Sequence, residues 1–114
     1  PYMATYGNIT FYGKSGEKYY FQAWPLETRF RSVGAVYFVT KRVFNDKTYR
    51  RRASHEAVFI GQTGNLADPF GTQLQLGCFS KHGANCVCVH VDANEERRLA
   101  TKQDLIDGQS PSCN

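Results

Sequence analysis

The feature that most limits how this chain can fold is an almost continuously apolar run, Gly34-Ala35-Val36-Tyr37-Phe38-Val39-Thr40. Its β-branched and aromatic residues favour a strand, and the lack of a polar side predicts burial on both faces. Such a strand needs neighbours within a sheet and a layer on each face. The run therefore predicts the centre of a small sheet covered by helices.

Alternating and periodic patterns predict the other elements. Alternation predicts an N-terminal β-hairpin, with strands over Asn8–Tyr12 and Glu17–Trp24 joined by a turn at 13–16. Two apolar runs predict strands over His55–Thr63 and Asn85–Val91. Residues 26–33 have no clear period, and residues 41–54 form a polar, basic connection.

Two helices are predicted from their capping residues. Asp68-Pro69 is typical of a helix start, and that helix would bury Phe70, Leu74 and Cys78. A last helix would begin at Asp92, run to about Ile106 and stop at Gly108. The predicted fold class is α/β (α+β), a small central antiparallel sheet flanked by helices, with an N-terminal β-hairpin.

Length and charge narrow the possibilities further. The 114 residues allow a single domain, with 1–33 as a hairpin extension and 34–114 as the core. A net charge of +4 favours nucleic acid or an acidic protein as a partner. No window is apolar enough to span a membrane. Pro1–Gly7 lacks a charged segment followed by an apolar run, so we expect no signal peptide there.

Four cysteines bear on the compartment: Cys78, Cys86, Cys88 and Cys113. Cys86 and Cys88 alternate within an apolar run, so both would point to one face of a strand. Buried free thiols in a reducing cytoplasm are the simplest interpretation, with an exported, disulfide-bonded protein as the alternative.

Two triplets on the predicted central strands carry a resemblance. Ala35-Val36-Tyr37 and Phe59-Ile60-Gly61, followed by Gln62-Thr63-Gly64-Asn65-Leu66, resemble the motifs of the GIY-YIG nuclease family. Lys102-Gln103-Asp104-Leu105-Ile106 in the last helix and the tail Pro111-Ser112-Cys113-Asn114 extend the resemblance over residues 34–114. It implies that this chain has the fold of a small stand-alone member of that family.

The family's catalytic residues are mostly replaced. The resemblance implies two tyrosines that handle a proton, an arginine, in some members a histidine and a terminal asparagine, and a glutamate that holds Mg²⁺. Tyr37 matches the first tyrosine, but Phe59 has lost the second hydroxyl, and Gly61 is retained. Pro69 lies at the position of the arginine, Gln73 at that of the histidine and Lys102 at that of the glutamate. Asn114 matches the terminal asparagine.

Lys102 is the replacement with the largest consequence. It takes the place of the metal-binding glutamate, and Leu99, Lys102 and Ile106 form a stripe that we expect to face the sheet. An ammonium group repels a cation and, while protonated, has no lone pair to offer it. We therefore expect no cofactor and no metal, with Mg²⁺ required only if the chain is an active nuclease.

Three other groups of residues are candidate binding sites. A basic cluster, which could grip phosphates or simply be solvated, comprises Lys41, Arg42, Lys47, Tyr49, Arg50, Arg51 and Arg52. Tyr12, Tyr20 and Trp24 share the hairpin face with less to pack on, and could contact a partner. A zinc site from Cys78, His82, Cys86, Cys88 and His90 is disfavoured, because the spacing lacks a second tight cysteine pair.

Three functions follow from these patterns. The first is a catalytically inactive binding protein with a protein partner, in an inhibitor, immunity-type or subunit role. The second is a pseudonuclease that binds DNA or RNA through the basic cluster. The third is a working metal-dependent endonuclease with altered residues. The sequence does not separate the first two.

Overall fold

The computed structural model describes residues 5–45, 52–68 and 76–114. Its elements, in chain order, are β1 (Gly7–Tyr12), β2 (Lys18–Pro25), β3 (Ala35–Asn45), β4 (Arg52–Thr63), α1 (Leu76–Lys81), β5 (Cys86–Val91) and α2 (Glu95–Gln109). The five strands form one sheet in the order β1-β2-β5-β3-β4, and every neighbouring pair is antiparallel. The predicted fold class, a small antiparallel sheet flanked by helices with an N-terminal hairpin, is confirmed.

The apolar run at 35–40 does form a central strand buried on both faces. Side chains that alternate along β3 enter two separate cores. Phe38 belongs to one core with Phe11, Ile60 and Leu105, and Tyr37 belongs to the other with Phe79. We call these the α2 face and the α1 face of the sheet, after the helix that packs on each. The N-terminal hairpin joins the same sheet because β2 pairs with β5.

β3 and β4 extend further than predicted. β5 pairs with β3 only from Ala35 to Thr40, whereas β3 and β4 remain paired from Ala35 to Asn45. Lys41 and Arg42 therefore lie in a strand, and Arg52 begins the next one, although residues 41–54 had been expected to form a connection. This extension is a two-stranded ribbon, in which cross-strand pairing outweighs the polar composition.

The helices differ from their predictions in three places. α2 is capped by Asn94, whose side chain accepts from the Arg97 amide, and it continues through Gly108 to Gln109. Gly108 does not stop the helix; a side chain there would meet the backbone of Lys14 in the hairpin turn. The buried residue of α1 is Phe79 and not Cys78. Pro69, Phe70 and Leu74 lie outside the described residues.

The cysteine prediction is wrong for one pair. Cys78 and Cys113 form a disulfide, which joins α1 to the C-terminal tail. Cys86 and Cys88 are free, fully buried and on the same face of β5, as predicted. The cysteines therefore no longer favour a reducing compartment, and a cytoplasmic location stays a prediction. Among the residues that the structure describes, no helix combines the length and apolarity needed to cross a bilayer.

Candidate functional site

The two motif triplets lie side by side at the centre of the sheet. Tyr37 of β3 is directly opposite Gly61 of β4, and a side chain on Gly61 would overlap the Tyr37 phenol. The Phe59 ring lies 6.0 Å from the Tyr37 ring, measured between centroids. Gly61 is thus required because the phenol packs directly against its backbone.

Tyr37 is poorly placed for chemistry with a substrate. Its side chain is only 3% exposed. Burial raises the pKa of the phenol to about 12, because an anionic phenolate would lose its hydration. The buried phenol is therefore harder to ionise than an exposed one. Phe59 has no hydroxyl to share the task.

Lys102 and Tyr37 are not brought together. The buried residues of α2 are Arg98, Thr101 and Leu105, and Leu99 is 46% exposed. The predicted stripe of Leu99, Lys102 and Ile106 is therefore wrong by one residue, although Ile106 does touch the core. Moreover, α2 packs on the face opposite Tyr37. The idea that Lys102 repels a metal beside Tyr37 therefore loses its geometric basis.

Arg98 is a buried cation that the sequence analysis missed. It is 6% exposed, and its guanidinium donates to the Gln62 side chain and to the Asp92 carbonyl, both at 3.0 Å. It lies so close to Gly34 that a side chain there would overlap it. Because Arg98 and Thr101 are polar, no apolar pattern in α2 pointed to this buried row. Arg98 ties the start of α2 to the ends of the two motif strands.

Asn114 covers part of the outer edge of β4. Its amide group accepts from the Ile60 N–H and donates to the Ile60 carbonyl, both at 2.8 Å. Cys113 donates its amide to the Val58 carbonyl at 2.7 Å, and Ser112 reaches Ala57 in the same way. The tail is a turn that hydrogen-bonds to β4 from Ala57 to Ile60, and the disulfide at Cys113 fixes it to α1.

The predicted aromatic face of the hairpin lies on the α1 side of the sheet, beyond the cover of α1. Tyr12 is 51% exposed and Tyr20 is 68% exposed. Trp24 is less exposed than predicted: it is half-buried, because it packs against the core and edge-on to Phe30. Beside this face is a groove of about 640 Å³, bounded by the segment between β2 and β3 and lined in part by Trp24, Glu27, Arg29, Arg31 and Val91.

The hairpin is held in place by one carboxylate of α2. Asp104 accepts from the Ser15 amide at 3.0 Å, the Ser15 hydroxyl at 2.6 Å and the Tyr19 hydroxyl at 2.7 Å. The hydrogen bonds from Ser15, followed by that from Tyr19, lower the pKa of Asp104 because they stabilise its charged form. Burial, followed by Asp104, raises the pKa of Tyr19 to about 12. The exposed tyrosines are therefore presented by an anchored hairpin.

Part of the predicted basic cluster lies on the ribbon of β3 and β4. The Arg42 guanidinium lies 4.0 Å from the centre of the Tyr6 ring and 4.4 Å from that of Phe44. Lys41 faces Glu56 at 4.0 Å across the strands. Arg52 begins β4, and four members lie outside the described residues: Lys47, Tyr49, Arg50 and Arg51.

The predicted cysteine and histidine site is rearranged. Ligand atoms of His55, Cys86 and Cys88 lie within 4.8 Å of one another. His82 lies near Cys78 and Cys113, but the disulfide occupies both sulfurs. His90 instead contacts the Tyr20 carbonyl through its Nδ1 at 2.8 Å. His55 was not considered, since it is far from the cysteines in sequence and only the pairing of β4, β3 and β5 brings them together.

The pKa values of the two free cysteines are shifted in opposite directions. A hydrogen bond with Cys88 lowers the pKa of Cys86, with further help from His55 and Thr40. The same hydrogen bond, with burial, raises the pKa of Cys88. The hydrogen bond therefore favours a thiolate at Cys86 over one at Cys88.

Comparison with known proteins does not assign this chain to a family. No family model matches the sequence, and neither curated proteins nor solved structures gave a match. The resemblance to GIY-YIG nucleases stays a prediction that rests on the residues quoted for it.

Proposed function

We propose that this chain is a non-catalytic binding protein that acts through a protein partner, and that the partner adds a β-strand to the outer edge of β1. The observation that carries the proposal is the contrast between the two edges of the sheet. The middle of the edge at β4, from Ala57 to Ile60, is covered by the tail through Cys113 and Asn114. The edge at β1 has no strand beside it in the described part of the chain.

The backbone of β1 can accept such a strand. Gly13 donates its amide to the Glu17 carbonyl. Because hydrogen-bonded positions alternate along an antiparallel strand, the amides and carbonyls of Phe11 and Ile9 also face β2. The polar backbone groups of Asn8 and Thr10 therefore point away from the sheet. An unprotected edge of this kind is a template for another chain.

The side chains of β1 support the same conclusion. The strand is Gly-Asn-Ile-Thr-Phe-Tyr, without the charges or proline that usually block edge pairing. Tyr12 and Tyr20 add exposed aromatic surface beside the edge, and such residues are enriched at the centres of interfaces. Arg29 and Arg31, opposed by Glu27 alone among the charged side chains described in the groove, leave the nearby groove positive and favour a partner with acidic side chains.

Substitution of Thr10 tests the proposal. In Thr10→Pro the outward amide is lost while the ladder to β2 is kept, because proline is tolerated where its missing N–H would face outward on an edge strand. Thr10→Val keeps the amide and the shape and is the matched control. Circular dichroism would establish that both variants are folded.

The assay is affinity capture from the organism that makes the chain, with and without nuclease treatment. We expect a stoichiometric protein partner that resists nuclease treatment, is retained by Thr10→Val and is lost with Thr10→Pro. A partner retained equally by both variants would refute strand addition. A partner lost on nuclease treatment would refute the protein-binding function itself.

The β3–β4 ribbon favours a second candidate, a pseudonuclease that binds nucleic acid. Arg42 stacks between Tyr6 and Phe44, and Phe44 is half-exposed at the end of the ribbon. Cations beside exposed rings are typical of surfaces that contact single strands. This candidate requires DNA or RNA binding whose affinity falls steeply with salt. The absence of any gel shift at low salt would exclude it.

Lack of catalysis has its own test. Since Tyr37 is buried and Phe59 has no hydroxyl, we expect no plasmid nicking with Mg²⁺ or Mn²⁺. Tyr37→Phe is the matched variant for this assay. Metal-dependent nicking that disappears in Tyr37→Phe would establish an active nuclease and overturn the proposal.

A further inference from the structure

Three side chains outside the motif region converge on the α2 face of the sheet. Cys86 and Cys88 come from β5 and His55 from β4, with Thr40 of β3 between them. Their ligand atoms lie within 4.8 Å of one another. We propose that His55, Cys86 and Cys88 bind one zinc ion inside the fold, independently of any partner.

The spacing of the two sulfurs is close to what zinc requires. They lie 4.0 Å apart. With Zn–S bonds of about 2.3 Å and a tetrahedral angle, two thiolates on one ion lie about 3.8 Å apart. The two cysteines alternate on a single strand, so the backbone already holds them near this distance. The sulfur pair therefore needs little movement to share one ion.

The chemistry of the set also favours zinc. Two thiolates and one neutral imidazole are soft and borderline ligands of the kind that select Zn²⁺ over Mg²⁺. Both sulfurs bind as thiolates, so the ion and its ligands together carry no net charge. That neutrality is compatible with the full burial of Cys86 and Cys88.

Neighbouring groups orient the histidine. The Thr40 hydroxyl lies 2.8 Å from His55 Nδ1, and the Phe11 ring packs edge-on against the imidazole. Outer contacts of this type fix the direction of a metal-binding ring. His55 itself is half-buried, which gives the ion a way in from the rim of the core.

Zinc titration of the oxidised protein tests the proposal. With the Cys78–Cys113 disulfide intact, those sulfurs cannot bind the ion. Equilibrium dialysis should find one zinc per chain, and Co²⁺ as a probe should give the absorption bands of thiolate ligation. Zinc should also raise the melting temperature of the wild-type chain.

Matched substitutions separate this site from any other. Cys86→Ser and Cys88→Ser should each abolish stoichiometric zinc binding. His55→Gln should weaken zinc affinity by at least roughly tenfold, which is the usual effect of losing a residue that only orients a metal ligand. His82→Gln, beside the disulfide, should bind zinc like the wild type. If His55→Gln, which keeps both buried sulfurs, binds as tightly as the wild type, or if the folded wild type binds no zinc, the proposal is wrong.

Discussion

The disulfide between Cys78 and Cys113 gives a prediction whose size follows from the structure. It joins positions 35 residues apart in the sequence. Closing a loop of that length restricts the unfolded chain and stabilises the fold by roughly 4 kcal/mol in the chain-entropy treatment. Since small domains have about 5–15 kcal/mol in total, loss of the bond removes a large share of the stability.

Replacing both residues in Cys78→Ser/Cys113→Ser tests this magnitude. Urea unfolding followed by circular dichroism should show a midpoint lower by roughly 2 M, if the slope is about 2 kcal/mol per M. The wild type in reductant should show a similar fall. The buried thiols Cys86 and Cys88 provide no such dependence, because they are already reduced.

Reductant added to the double variant is the control, and it should change nothing. If reductant leaves the wild-type midpoint unmoved, the bond is absent in solution. If the double variant is as stable as the oxidised wild type, the loop-closure reasoning fails, and the tail must be held by its pairing with β4 alone.

Three further results are expected. Asn114→Ala leaves the Ile60 N–H and carbonyl without their partner and should lower the free energy of unfolding by roughly 1–3 kcal/mol in urea titrations. Gly61→Ala places a methyl group against the Tyr37 phenol and should cost about 1–3 kcal/mol by the same measurement. The pKa of Asp104 is lowered in the fold, so its contribution is complete above the ordinary value of 3.8 and is lost as pH falls through the lower folded value. An NMR titration of the hairpin amides should detect this loss.

Two controls make these results specific. Gly77→Ala adds a methyl group in open space within α1, so it should be neutral or stabilising by up to about 1 kcal/mol. A loss equal to that of Gly61→Ala would mean that overlap with the phenol is not the cause. Asp104→Asn should abolish the acid transition of the Ser15 amide. Persistence of that transition in the variant would assign it to another group.

The sequence predicted the strands well because their signals are local. Alternation placed the hairpin, and the apolar run placed β3 at the centre of the sheet. The register of α2 could not be set in the same way. Arg98, Thr101 and Leu105 form its buried row, but the apolar residues at Leu99 and Ile106 suggested a row shifted by one position. A buried arginine has no apolar signature, since only its partners on other elements make burial possible.

By itself, the sequence determined where the five strands lie apart from the ribbon that extends β3 and β4, that both faces of β3 would be covered, and that Phe59 brings no hydroxyl to the motif pair. Tertiary structure alone decided that Tyr37 and α2 lie on opposite faces, that Cys78 meets Cys113, and that His55 reaches Cys86 and Cys88. The physical reason is that backbone periodicity acts over neighbouring residues, whereas these contacts join distant positions and depend on the order in which strands pair in the sheet.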